Sequence, residues 1–206
     1  MKRFFKDNGL SLVLLVLFIA FWALQSVTGF CVYNEEQALH GSPEISYPEY
    51  LASGHFWQAT AENWESEFLQ MGFYVILTTF LFQRGSAESN DPDEAEQLAA
   101  QRRKKPSTWL YRNSLSLAFL ALFLLTFVIH AAGGWKELNE ERAEHGQAPE
   151  SLAGFLGHAE FWFQSFQNWQ SEFLAVLSIV VLSIFLRQSG SPESKEVEDP
   201  NSKTGA

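Results

Sequence analysis

The sequence predicts an all-α integral membrane protein with four transmembrane helices, arranged as two tandem, parallel-repeat helical hairpins. Three observations carry that class. Four apolar blocks, Leu10 to Phe30, Phe68 to Phe82, Leu115 to Trp135 and Phe173 to Leu186, are separated by very polar segments. The chain also matches itself: at a shift of 105 residues, 8–89 aligns with 113–194 without a gap, and roughly two positions in five are identical. Finally, Lys and Arg gather at the two ends and in the centre and are sparse in the other two connecting segments.

The elements follow in chain order. A helix rising about 1.5 Å per residue needs roughly 20 apolar residues to cross the hydrocarbon core. The first and third blocks suffice alone, giving spans at about 10–30 and 115–135. The second and fourth are shorter and need the aromatic segment before them. That segment reads as helix, because Trp162, Phe166, Trp169 and Phe173 form one stripe of a 3.6-residue period, and Trp57, Ala61, Trp64 and Phe68 repeat it. Long helices are therefore expected from about His55 to Gln83 and from about Glu160 to Gln188, crossing the membrane at about 66–83 and 171–187. The repeats occupy 1–89 and 108–190.

Lys2, Arg3 and Lys6 before an apolar run also suit a cleavable signal, or with Cys31 a lipoprotein signal. The length of the run, the bulky Phe30 before the cysteine and a repeat partner in mid-chain favour a retained helix. The linker 90–107 and the tail 191–206 are charged and poor in large apolar residues, so both are expected to be mostly disordered. The basic tetrad Arg102, Arg103, Lys104 and Lys105 precedes the third span, where it suits a topology signal or a clamp on anionic lipid. Only Lys136 and Arg142 fall in the remaining two loops. The positive-inside bias then puts both termini in the cytoplasm and both loops outside, as in a multi-pass protein of the cell inner membrane. An even number of spans per unit makes the repeats parallel.

Composition excludes several classes. A net charge of -10 without a basic face argues against nucleic acid. The single cysteine, Cys31, rules out an intramolecular disulfide, a CxxC pair and a Cys-rich zinc site. No Gly-rich phosphate loop, GxSxG elbow or HExxH is present, so an enzyme is the less favoured class.

Two repeated clusters are candidate sites. The heptapeptide NWESEFL, 63–69, returns as NWQSEFL, 168–174. On a helix Asn63 and Glu67 share a face, as do Asn168 and Glu172. A carboxylate at the edge of a span is costly unless solvated, paired or protonated. It acts either as an interfacial anchor or, with its repeat partner across the pseudo-twofold axis, as half of a site that holds a cation or shares a proton. Trp57, Trp64, Trp162 and Trp169 suit interfacial anchors, with the N–H toward water.

The second cluster is Asn34-Glu35-Glu36 with His40-Gly41, matched by Asn139-Glu140-Glu141 with His145-Gly146. Helix capping accounts for these residue types, at the ends of a short helix or at the outer end of the first span. Glu36 with His40, and Glu141 with His145, also stand at i, i+4 and could ligate a divalent metal; no other cofactor is expected. His130 has Gln25 as its repeat partner, so a paired axial arrangement is not repeated, and hydrogen bonding to a neighbouring helix is expected.

The N-terminal FFKDNGLSL, the NEExxxHG element, and FW followed by NWxSEFL before a second span resemble an uncharacterised family of small bacterial membrane proteins, a domain of unknown function. The resemblance implies an all-helical four-span protein and no known activity. Two functional classes follow from the residues. One is a non-enzymatic scaffold, sensor or binding protein with two acidic extracytoplasmic loops, with further copies of itself as a candidate partner. The other is a small oligomeric cation channel or transporter with Glu67 and Glu172 at its mouth. A metal-dependent membrane enzyme ranks behind both. Thr78, Thr79, Ser178 and Ser183 discriminate the first two: a transporter turns them to a shared cavity, and a scaffold buries them against helix backbones.

Overall fold

Among the described residues every regular element is an α-helix. The structure, a computed structural model, describes residues 2–94, 100 and 107–205. The elements are α1 (Lys2–Leu39), α2 (Tyr47–Leu51), α3 (Gly54–Leu77), α4 (Trp109–Arg112), α5 (Ser114–Glu144), α6 (Leu152–Phe155) and α7 (Ala159–Phe185). The tetrad Arg102, Arg103, Lys104 and Lys105 lies outside the described residues, as does part of the linker expected at 90–107.

Among the described residues three helices, α1, α5 and α7, are long and apolar enough to cross a membrane. The second predicted span is less regular. The α3 helix ends at Leu77 rather than near Gln83, and residues 78–80 form turns. Thr78 and Thr79 donate their hydroxyls back to the Tyr74 and Val75 carbonyls at 2.9 and 3.1 Å. Asn90 donates to the Thr78 carbonyl at 3.2 Å. Polar groups thus satisfy the backbone where the helix stops.

The chain divides into two compact units. One comprises Met1–Ala59 with Ala132–Glu150. Here α1 and α5 run on through the NEE elements, so Asn34 and Asn139 lie inside helices rather than capping them. Each clips the returning loop instead. Asn34 exchanges two hydrogen bonds with the Ile45 backbone at 2.9 and 3.1 Å, and Asn139 does the same with Glu150 at 2.6 and 3.2 Å. Both helices end in a left-handed glycine, Gly41 at φ 73° and Gly146 at φ 67°. Ser42 N–H donates to Gln37 and Gly41 N–H to Ala38, the paired closure that such a residue permits, and Gln147 and Gly146 repeat it. The start of α3 also meets the end of α5 backbone to backbone, at Gly54 and Gly133.

The other unit comprises Thr60–Ala131 with Ser151–Ala206. In it α3 and α7 run side by side in the same direction, with Glu65 level with Ser165 and Phe73 level with Phe173. Their downstream ends meet through Ser86 and Ser183, whose hydroxyls are 3.0 Å apart. Residues 191–205, expected to be disordered, form successive turns fastened by Lys195. That side chain is 1% exposed. Its ammonium donates to the carbonyls of Gly85, Ile184, Asn201 and Lys203 at 2.5 to 3.3 Å. Composition misses this order because it rests on one buried cation and main-chain oxygens, not on an apolar core.

Candidate functional site

The heptapeptide places polar residues on the inner face of α3. Thr60, Ala61, Glu65 and Ser66 are each at most 1% exposed. Small side chains at this level let neighbouring helices approach closely enough for side chains to bond across them. From α5 comes His130, fully buried; from α7 come Gln164, Ser165, Asn168 and Trp169, spaced along one helical face.

These groups form one network around Glu65 and His130, both 0% exposed. His130 Nδ1 lies 3.0 Å from Glu65 Oε2. The other carboxylate oxygen, Oε1, accepts from the Ser165 hydroxyl at 3.0 Å and from the Trp169 indole at 3.3 Å. On the far side of the ring, His130 Nε2 faces Gln164 Oε1 at 3.5 Å and Glu62 Oε2 at 3.8 Å. The ring thus has an oxygen beside each of its nitrogens. Phe161 lies against the ring with centroids 4.8 Å apart.

Glu62 differs from Glu65 in one respect. Its side chain retains 20% exposure. Asn168 donates to Glu62 Oε1 at 3.1 Å, which ties α7 to the same carboxyl. Burial pushes the Glu62 carboxyl above the ordinary carboxylate range, with the Asn168 bond and the nearby His130 pulling against it.

The sequence-derived candidates are partly gathered here. Asn168 joins the network through Glu62, and Trp169 turns its N–H to Glu65 instead of water. The Trp162 indole donates to the Leu156 carbonyl at 2.9 Å, and Trp57 lines an apolar cleft with Trp22, Tyr47 and Leu51. Trp64 is half-buried. Glu67 is exposed and near enough to Glu172 for their charges to repel, while Gln70 donates to the Glu172 carbonyl at 3.2 Å. Asn63 lies on the exposed side of α3, where its carbonyl accepts from Ser66.

Glu36, His40, Glu141 and His145 line one acidic cleft of about 410 Å³ in the first unit, with Tyr33 and Glu137. His145 Nδ1 bonds the Glu141 carbonyl of its own helix at 2.8 Å, as a helix-end residue does. Among the described residues no group of three or more His, Cys, Asp or Glu could hold a metal.

Sequence reasoning missed Glu62, Glu65, Gln164 and Ser165. A signal was available where the two repeats part company. Glu65 stands opposite Gln170, Glu62 opposite Gln167 and His130 opposite Gln25, so the charged members lack a charged counterpart 105 residues away. A search for shared residues finds Asn168 and Trp169 but passes over the unshared titratable members of the site.

Fold and site together define an all-helical protein with membrane-length helices and a buried polar core. It belongs to the family described as Domain of unknown function (DUF6766), whose model matches residues 1–206. No curated protein and no solved structure matches the chain.

Proposed function

We propose that this chain is a four-span, non-enzymatic membrane protein that senses or binds through its outer loops, with the Glu65–His130 core fixing how its helices sit. On this reading the two hairpins are parallel repeats in the cell inner membrane, with both termini cytoplasmic. The α3 helix and the residues after it complete the fourth span, and the basic tetrad at 102–105 meets anionic lipid. An ionisable pair inside a membrane protein is expensive and marks a functional element. The observation that carries the reading is that protein groups already occupy this pair, with three bonds to the Glu65 carboxylate and oxygens at both ring nitrogens. Such a pair suits an element that holds or switches helix positions better than one that attacks a substrate.

The hydroxyls named as discriminators favour it in part: all four bond their own helix, Ser183 is buried, and Thr79 is exposed. Ser178 donates to the Leu174 carbonyl at 2.7 Å and Ser183 to Val180 at 3.3 Å, as Thr78 and Thr79 do to their own helix. The channel reading retains one observation in its favour, the nearness of Glu67 and Glu172. Flux measurements on phospholipid vesicles containing the purified protein separate the two. The expected result is proton and potassium flux no higher than in protein-free vesicles. A flux that disappears on changing Glu67→Gln with Glu172→Gln would instead install the channel.

A further inference from the structure

We propose that Glu62 is a proton-binding site, exchanging its proton with the outer aqueous face and reporting its charge to α7 through Asn168. The proposal rests on the polar-core reading and adds to it a ligand, a residue and a route. Among the three titratable groups in contact, Glu65 and His130 are both 0% exposed, and only Glu62 keeps access, at 20% of its side chain. It stands one helical turn before Glu65 on α3, ahead of the apolar block that begins at Phe68. That places it at headgroup depth in the proposed topology, where water reaches it.

Charge repulsion selects the same group. Facing His130 are Glu62 and Glu65 from α3, and the uncharged Gln164 and Phe161 from α7. Glu62 and Glu65 are carboxyls of one helix that face the same ring, at 3.8 and 3.0 Å. Ionising Glu62 sets a second carboxylate beside Glu65, and like charges in a poorly solvated interior repel. That repulsion favours the protonated form of Glu62, the member of the pair that keeps access. Burial raising the Glu62 carboxyl agrees with this.

The consequence for α7 is direct. The Asn168 amide donates to Glu62 Oε1, a bond that is stronger when that oxygen belongs to a carboxylate. Proton release tightens the α3–α7 link at Asn168, and proton uptake loosens it. The linkage has a definite sign. A carboxyl whose folded value is raised holds a proton that the unfolded chain has lost, so stability falls as pH rises from the ordinary carboxylate range to the raised folded value.

The test is infrared spectroscopy of the full chain in phosphatidylcholine vesicles, following the protonated-carboxyl C=O band as pH is varied. A band that grows on acidification, is lost in Glu62→Gln and persists in the Glu67→Gln, Glu172→Gln double variant is the expected result. Asn168→Ala removes a bond to the charged form and should move the midpoint up by about one pH unit. A titrating band that survives Glu62→Gln but is lost in Glu65→Gln overturns the Glu62 assignment and leaves the polar core standing. Absence of any protonated carboxyl across about pH 4 to 8 overturns it as well. Should Glu62→Gln fail to fold, the Asn168→Ala midpoint decides, and an unmoved midpoint rejects the proposal. Failure of the underlying reading looks different, namely a Glu65→Ala protein as stable as the parent.

Discussion

Changing Glu65→Ala or His130→Ala alone is expected to cost about 3–5 kcal/mol of stability, because each change strands the other group inside the protein without its partner. For Glu65→Ala the loss extends further, since the Ser165 hydroxyl and the Trp169 indole also lose their acceptor. Thermal unfolding in detergent reads the effect directly. The Glu65→Met, His130→Leu double variant should regain most of the loss, since apolar groups of similar volume remove the desolvation cost together with the attraction. A double variant as unstable as the sum of the singles would show that packing, not charge pairing, governs this level of the fold.

The second large effect is expected where backbones touch. A Cβ at Gly133 would lie 2.7 Å from the Gln58 amide nitrogen and 3.0 Å from the Gly54 carbonyl oxygen. One at Gly54 would meet the Gly133 carbonyl oxygen at 2.5 Å. The obstructing atoms are main chain, so no side-chain rotation relieves the overlap and helix segments must separate. Gly133→Val should therefore cost about 3 kcal/mol, towards the upper part of the range for overpacked sites. Gly9→Val, at a position with nothing within 4 Å, provides a matched control and should change the unfolding midpoint little. Equal effects at the two positions would refute close backbone packing at Gly133.

The contrast between Gly133 and Glu65 shows what was legible in the sequence. Long apolar blocks and a 3.6-residue aromatic stripe foretell α1, α5 and α7, because helix length and periodicity are local properties. The end of α3 at Leu77 was not legible, since it depends on Thr hydroxyls and on Asn90 arriving from a later segment. The ordered tail was hidden for a similar reason. Its hold comes from Lys195, a residue whose charge reads as solvated until the carbonyls around it are known.

The site divides in the same way. The repeat drew attention to Asn168 and Trp169, and both take part in the core. It drew attention equally to Glu67, which is exposed, and away from Glu65, which is buried two residues earlier in the same heptapeptide. Residues two apart on a helix face different ways, and only the position of α5 decides which of them meets His130.

The most direct test of the central claim is the solid-state NMR distance from the His130 ring Nδ1 to the Glu65 side-chain carboxyl carbon, assigned by comparison with His130→Gln, in the full chain in lipid bilayers. A direct dipolar contact that persists in Glu62→Gln is the predicted result, because Glu65 meets the ring at 3.0 Å without help from Glu62. No contact between the two groups in the parent chain would contradict the buried polar core from which the proposed function is argued.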